Sequence, residues 1–304
     1  MVASTIFSLL ILGGVLWHSG LNFVNPFTYS IDWFFFCVSF ALFMINYVFR
    51  SVRFCELLVS NVSPYILYGV SLVHGASNYF FPLKLGELSF PLLCKYFLNQ
   101  SLSESGAALF LCRILDFLFI LTLTVIVVFL WAEAYKIFED LGINQSTYTF
   151  FTITVIFFLL LLIFFLAKCS GVFRQIWNKV LDIDRFRPLV FIKMIVLTSL
   201  IWFCILGNFY FLSMSLGYDV KPASMVIVSV IMVPLSLMPV QGFANVGTFE
   251  LAWVSGLIMF GFSQGEALEI AVKVHVLLTV QVALMLAIGG AFLAIRKFGG
   301  NHAQ

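Results

Sequence analysis

Long apolar runs separated by short polar segments dominate the chain, and this pattern predicts a bundle of membrane-spanning helices. A helix needs about 20 mostly apolar residues to cross the hydrocarbon core. Six runs approach or exceed that length: Ser4–Phe23, Trp33–Phe49, Ser105–Trp131, Thr147–Ala167, Val190–Leu216 and Ala267–Ile295. We therefore expect an all-α polytopic integral membrane protein, with about six spanning helices in a single transmembrane domain over residues 1–304.

Two further apolar segments are interrupted by helix-breaking and polar residues. Val62–Phe97 is broken near Pro82–Gly86, and Ala223–Phe262 is broken near Pro239–Gly247. Irregular backbone survives at membrane depth only where it is buried in protein or lines a polar cavity. We expect each segment to form a re-entrant hairpin of two short helices, although two ordinary spans would also return the chain to its starting side.

The distribution of basic residues predicts the orientation of the spans. Basic residues cluster in Lys168–Lys193, in the turn expected after the second span at Arg50 and Arg53, and in the tail at Arg296 and Lys297. The positive-inside rule assigns these positions, and with them both termini, to the cytoplasm. The halves 1–131 and 147–297 then both read span, span, re-entrant pair, span in opposite orientations, which is the inverted-topology repeat of alternating-access transporters.

Composition excludes several classes of protein. Charged residues make up 10% of the chain and hydrophobic residues 62%, whereas a soluble domain carries about 25% charged residues. A net charge of +2 without a basic tract argues against a nucleic-acid partner. Histidines and cysteines lack the spacing of a metal site, and no phosphate-binding loop or nucleophile elbow occurs. We expect no cofactor, no metal and no catalytic residues.

Two charged residues fall near the middle of a predicted span. Arg113 and Asp116 are three residues apart and therefore share a helical face. An ionisable group at the bilayer centre costs about 2.5–3.5 kcal/mol, so each needs a partner. The two side chains form either a structural ion pair that fixes helix packing or a site for a headgroup or a proton. In both cases this face meets protein or water instead of lipid.

Two glutamates follow the breaks, each at the expected start of a short helix. Free N–H groups and the positive end of the helix dipole favour a carboxylate there, so Glu87 and Glu250 either cap their own helices or face one midplane cavity. In the second case, the N–H groups with Lys84 and Arg113 would bind a phosphate. The carboxylates of Glu87, Asp116 and Glu250 would then meet amines, hydroxyls or protons.

The remaining candidates are polar residues near the breaks and in the last span. Asn78 and Asn245 either cap broken backbone or line the same cavity. Lys273 and His275 are two residues apart and cannot share a helical face, so at most one should reach the cavity; we favour Lys273, although pairing with Glu269 would also explain it. The predicted substrate-binding residues are Lys84, Glu87, Arg113, Asp116, Glu250, Asn78, Asn245 and Lys273.

Several motifs together resemble one family over nearly the whole chain. They are Arg50-x-x-Arg53-Phe54-x-x-Leu57-Leu58, Gly75-Ala76-x-Asn78, Pro82-Leu-Lys84-Leu-Gly86-Glu87-Leu88, Arg113-x-x-Asp116 and Pro239…Gly242…Gly247-x-x-Glu250. The chain resembles the transmembrane region of lysylphosphatidylglycerol synthases and their stand-alone relatives, a group of proposed lipid flippases. It departs from the family after Gly-Glu-Leu, where a basic residue is usual but Ser89-Phe90-Pro91 stands here and Lys95 is the nearest.

The resemblance implies a lipid flippase. In the full-length synthases this unit moves an aminoacylated phospholipid between leaflets, and a separate soluble domain attaches the amino acid. Because the chain stops at Gln304, we expect the stand-alone form, which has no aminoacyltransferase and works on membrane lipids, with a lipid-modifying enzyme as a possible partner. The substrate would carry a phosphate, as in an aminoacyl phospholipid or a polyprenyl-phosphate-linked sugar, and the membrane would be the plasma (inner) membrane of a prokaryote.

Two other functions stay open at this point. The chain could be an intramembrane enzyme acting on lipid-linked substrates, with Glu87, Asp116 or Glu250 as the acid or base. It could also be a non-transporting membrane partner of a lipid-modifying enzyme.

Overall fold

The fold is a bundle of helices, some long and some short. The computed structural model describes residues 30–58, 62–130, 188–237 and 241–299, and all regular structure within these ranges is helical. The α-helices are α1 (Trp33–Leu57), α2 (Pro64–Phe80), α3 (Ser89–Leu98), α4 (Leu102–Leu130), α5 (Pro188–Ser215), α6 (Pro222–Leu237), α7 (Thr248–Ile258) and α8 (Gln264–Gly299). The predicted spans Ser4–Phe23 and Thr147–Ala167 lie outside the described residues.

Four of the described helices are long and apolar enough to cross a membrane. These stretches are Trp33–Leu57, Leu102–Leu123, Ile192–Ser215 and Gln264–Ile295, and they correspond to the four predicted spans that fall in the described ranges. The prediction of an integral membrane protein is thus confirmed. One boundary was wrong: α1 continues past Phe49 to Leu57, so Arg50 and Arg53 lie within a helix and not in a turn.

Both predicted breaks interrupt helices where Pro, Gly and Asn residues occur. The first broken segment is a 3-10 helix, Pro82–Leu88, between α2 and α3. The second broken segment, residues 241–247, lies between α6 and α7 and contains a 3-10 turn at Phe243–Asn245. The residue Pro239 is outside the described ranges. At 10 and 11 residues, α3 and α7 are about 15–17 Å long, which is too short to cross a core of about 30 Å.

The two broken segments share an unusual backbone geometry. Each holds two consecutive non-glycine residues in the left-handed region: Leu83 and Lys84 at φ 57° and 60°, and Ala244 and Asn245 at φ 52° and 59°. This conformation costs about 1–2 kcal/mol per residue, so surrounding contacts must hold it. One such contact joins the segments, because the Leu83 N–H donates to the Gln241 carbonyl at 3.0 Å.

The first hairpin closes tightly because Gly86 has no side chain. A Cβ at this position would lie 2.3 Å from the Asn78 Cα of α2. The Ser89 hydroxyl reinforces the turn by donating to the Gly86 carbonyl at 2.6 Å, and the Ser89 hydroxyl oxygen also lies 3.0 Å from His74 Nδ1. The break therefore packs directly onto the end of α2.

Among the described helices, three pairs make the most extensive contacts between the two halves of the chain. The helix α1 packs on α5, α2 on α8, and α4 on α6. In the first pair, the Ser39 hydroxyl donates to the Asn208 side chain at 2.6 Å, and Gln281 of α8 donates to Ser39 at 2.9 Å. Within the hairpins, α2 packs on α3 and α6 on α7, so the two hairpins sit between the long helices.

Adjacent glycines of α8 provide a test of the α2–α8 contact. A Cβ on Gly289 would lie 2.7 Å from the Leu72 Cβ of α2, whereas one on Gly290 would meet nothing within 4 Å. We expect Gly289→Ala to lower the free energy of unfolding by about 1–3 kcal/mol through overpacking. Gly290→Ala should leave it unchanged or raise it by up to about 1 kcal/mol, since alanine favours the helix. Unfolding in detergent measures both, and equal effects would contradict this packing.

Candidate functional site

A cavity of about 600 Å³ lies between the two halves, lined by long helices and by both broken segments. Within the described ranges, its charged lining residues come from the first half: Arg50, Arg53, Lys84, Glu87, Arg113 and Asp116. The second half contributes uncharged polar side chains: Asn208, Gln241, Asn245 and Thr248. The cavity therefore has a charged side and a side that offers amide and hydroxyl hydrogen bonds.

One of the charged lining residues, Arg53, is fully buried. Arg53 of α1 donates through its two terminal nitrogens to the Asp116 carboxylate of α4, at 2.7 and 3.1 Å. One of these nitrogens also donates to the Thr198 hydroxyl of α5 at 3.0 Å. Such bidentate, charge-assisted contacts are strong and geometrically specific, so this ion pair ties three helices together. Arg53 was not among the predicted site residues.

The predicted Arg113–Asp116 contact exists, but other partners are closer. Arg113 lies 3.8 Å from Asp116, whereas its guanidinium is 2.9 Å from Glu87 of the first broken segment. His74 of α2 lies 3.8 Å from the same Glu87 carboxylate. Arg113 therefore links α4 to the first break, and the main ion-pair partner of Asp116 is Arg53.

Two further cations of the lining lack a carboxylate partner. Arg50 donates to the Asn46 side-chain oxygen at 2.8 Å and lies over the Tyr47 ring at 5.6 Å. Within the described ranges, neither Arg50 nor Lys84 has a carboxylate oxygen within 4 Å. With four cations against two carboxylates along its lining, the cavity carries excess positive charge.

Unsatisfied polar atoms are concentrated around this cavity. Buried atoms without a hydrogen bond in the described part of the chain include Arg53 Nε, His74 Nε2, Asn78 Oδ1, Glu87 Oε2, Arg113 Nε and Trp202 Nε1, all on lining residues. Leaving a buried polar atom unpaired costs about 1–3 kcal/mol. This concentration of unpaired polar atoms indicates a site suited to a polar ligand.

The predicted candidates thus divide into two groups. Lys84, Glu87, Arg113, Asp116, Asn78 and Asn245 line the cavity. Glu250 lies behind the second broken segment, where it is 3% exposed and accepts from the Gly247 N–H at 2.7 Å, so it caps α7. Its other oxygen is hydrogen-bonded to His275 of α8. The structure thus places His275, and not Lys273, against the second break.

Lys273 belongs to a separate cluster at the start of α8. It forms an ion pair with Glu269 and donates to the Tyr218 hydroxyl at 3.0 Å. Tyr218, in the loop between α5 and α6, donates in turn to Glu269 at 2.8 Å, and burial raises the pKa of its hydroxyl. Among the residues that the structure describes, no group of three His, Cys, Asp or Glu side chains could hold a metal ion.

The fold and cavity define a class: polytopic helical membrane proteins with a charged interior site beside broken helices. Within that class, the chain belongs to the family described as the lysylphosphatidylglycerol synthase TM region, which matches residues 1–289. No curated protein and no solved structure matches the chain. Membership links the protein to the metabolism or transport of membrane lipids.

The Arg53–Asp116 pair generates a stability prediction. Asp116→Asn leaves Arg53 buried without a counter-charge, and we expect the free energy of unfolding to fall by about 3–5 kcal/mol. The double variant Arg53→Met, Asp116→Leu should recover most of that loss, since apolar side chains then fill the space. Denaturant unfolding in detergent micelles measures all three proteins.

A more exposed ion pair serves as the control. Glu56 pairs with Lys193 between α1 and α5, with side chains 25% and 49% exposed. Glu56→Gln should cost less than about 1 kcal/mol. If Asp116→Asn cost no more than Glu56→Gln, the buried pair would not hold the helices together.

Proposed function

We propose that this protein is a lipid transporter that moves a lipid with a phosphate-containing headgroup between the leaflets through the cavity. The observation that carries the proposal is the excess positive charge of the lining, with Arg50 and Lys84 lacking a carboxylate partner in the described ranges. Uncompensated cations at membrane depth are costly. A phosphate would neutralise them, and in a bilayer phosphate groups come with lipids.

The lining residues of the second half suit the remainder of a headgroup. Asn208, Gln241, Asn245 and Thr248 add amide and hydroxyl groups to a cavity whose cations come from the first half. Such groups can bind the hydroxyls of a sugar or the amine and carbonyl of an aminoacyl ester. An aminoacyl phospholipid and a polyprenyl-phosphate-linked sugar both fit this division of the cavity into anion-binding and neutral polar walls.

Apolar residues of the lining offer contacts for the hydrocarbon chains of the lipid. Phe110 and Phe117 of α4, and Met232 and Leu235 of α6, line the cavity, and Phe110 is 50% exposed. In this proposal the hydrocarbon chains stay in the bilayer beside α4 and α6 while the headgroup crosses inside. The headgroup then avoids the cost of passing through hydrocarbon.

The arrangement of helices supports alternating access through an inverted repeat. The same helix pairs pack together when each helix is replaced by its counterpart in the other half, with α1 matched to α5, α2 to α6, α3 to α7 and α4 to α8. In addition, each break contains two consecutive residues in the left-handed region. We propose that the hairpins are re-entrant from opposite sides and belong to halves 1–131 and 147–297. Rocking of one half against the other would expose the cavity to each leaflet in turn, with both termini in the cytoplasm of a prokaryote.

Transport is favoured over intramembrane catalysis by the state of the carboxylates. Asp116 is bound by Arg53, and Glu87 by Arg113. A general acid or base needs a proton-transfer position facing the reacting bond, and both carboxylates that line the cavity are instead engaged by guanidinium groups.

Reconstitution into liposomes tests the proposal. We expect wild-type protein to move fluorescent or aminoacylated phospholipids, or polyprenyl-phosphate sugars, between leaflets. The double variant Arg50→Gln, Lys84→Gln should be slower by about tenfold or more, because a hydrogen bond to a charged group is worth about 1.5–3 kcal/mol. A dithionite or enzymatic accessibility assay on each lipid measures the rates.

Lys95→Gln is the matched control, because it removes one positive charge from an exposed position on the same hairpin, outside the cavity lining. It should transport at the wild-type rate. Wild-type rates no faster than those of the double variant, for every phosphate-bearing lipid tried, would contradict the proposal.

A further inference from the structure

A buried glutamate–histidine dyad, Glu250 of α7 and His275 of α8, contacts the second broken segment. Neither side chain belongs to the cavity lining. The two side chains are 3% and 5% exposed. Each end of the dyad contacts the break, since Glu250 accepts from the Gly247 N–H at 2.7 Å and His275 Nε2 lies 2.8 Å from the Ala244 carbonyl oxygen. Asn245, between these contacts, lines the cavity. The dyad therefore contacts a segment that forms part of the cavity lining.

Hydrogen-bond geometry fixes how many protons the dyad carries. A carbonyl oxygen only accepts, so His275 Nε2 must bear a hydrogen. His275 Nδ1 faces a Glu250 carboxyl oxygen, and two acceptors cannot bond unless one of them is protonated. The dyad therefore holds two protons, either as imidazolium with carboxylate or as neutral imidazole with carboxylic acid.

Loss of one proton would release the break. Carboxylate oxygen and the Nδ1 lone pair would then repel each other inside a site that is closed to solvent, and a buried unpaired charge is costly. Gain of a third proton would leave an uncompensated positive charge in the same place. Either change destabilises the buried arrangement of Glu250 and His275 and therefore favours a conformation in which the second broken segment has moved.

Among the residues that the structure describes, few other titratable groups lie near the dyad. From α2, the Tyr79 ring lies edge-on to His275 at 6.0 Å, and its hydroxyl is hydrogen-bonded to Thr279 at 2.7 Å. The described residues of α6 carry no titratable side chain, and α5 contributes Phe209 against Phe249. On α8, Glu269 and Lys273 pair with each other. The proton balance thus depends on the dyad itself.

We propose that Glu250 and His275 form a proton-binding site that controls the second broken segment, and that the proton is the coupling ion of transport. Proton binding or release at the dyad moves the wall that carries Asn245 and Thr248, and so changes access to the cavity. The coupling step rests on the proposed transport function, whereas proton binding at the dyad does not.

Glu250→Gln is the informative variant, because it mimics the dyad with its proton fixed. The amide oxygen can accept from Gly247 and the amide nitrogen can donate to His275 Nδ1, so the contacts of the pair with each other and with the second broken segment are kept while the carboxyl proton is lost as a variable. Glu266→Gln is the control, since it removes an exposed carboxylate at the start of α8 that contacts Ser263.

Two measurements on protein in liposomes need no transport substrate. In pH-difference infrared spectra between about pH 5 and pH 9, wild type and Glu266→Gln should show carboxyl and imidazole bands that change together, and Glu250→Gln should lack that paired change. After correction for the intrinsic pH dependence of amide exchange, the protection of residues 241–258 should change with pH in wild type and not in Glu250→Gln. A wild-type protein with neither a paired band nor pH-dependent protection would overturn the proposal without recourse to any variant.

A third measurement tests coupling. In proteoliposomes, a proton gradient should accelerate wild-type lipid transport in one direction, and Glu250→Gln should keep only gradient-independent exchange. Transport that is insensitive to the gradient in wild type would overturn the coupling role while leaving the transport function intact. If no lipid moves under any gradient, the transport function fails, and the spectra still decide whether the dyad binds a proton.

Discussion

A charge in the hydrocarbon interior must find a partner inside the protein, and the burial of Arg53 shows how this constraint organises the bundle. Its guanidinium is satisfied by Asp116 of α4 and Thr198 of α5. Because Asp116 is bound by Arg53, the closer partner of Arg113 is Glu87 on the first broken segment. In the part of the chain that the structure describes, Arg50 and Lys84 have no carboxylate partner, so the same interaction that holds the helices also gives the cavity its positive character.

The two broken segments have similar backbones but different chemistry. Both contain paired left-handed residues, and a direct hydrogen bond joins them. The first is packed onto α2 through Gly86 and carries Lys84 and Glu87 into the cavity. The second presents amides to the cavity and is held from behind by Glu250 and His275. In our account one hairpin binds the anionic headgroup, and the other responds to protons.

Local sequence features predicted the helices and breaks well, because Pro, Gly and Asn in an apolar run act on the backbone nearby. The role of Arg53 was missed because an arginine after an apolar run also looks like an interfacial anchor, and only the course of α1 to Leu57 reveals its burial. Periodicity showed that Lys273 and His275 point to different faces. It could not show which face meets the second break, since that depends on how α8 packs against α7.

The central claim is that the cavity binds a phosphate-bearing headgroup, with Arg50 and Lys84 as the cations that contact the phosphate and Asn208, Gln241 and Asn245 as amides for the rest of the headgroup. A structure determined in lipid nanodiscs tests it most directly. Our account predicts headgroup density inside the cavity, with the phosphate in contact with Arg50 and Lys84 and the chains leaving beside α4. A cavity that stays free of lipid, with those two cations neutralised by protein carboxylates, would contradict it.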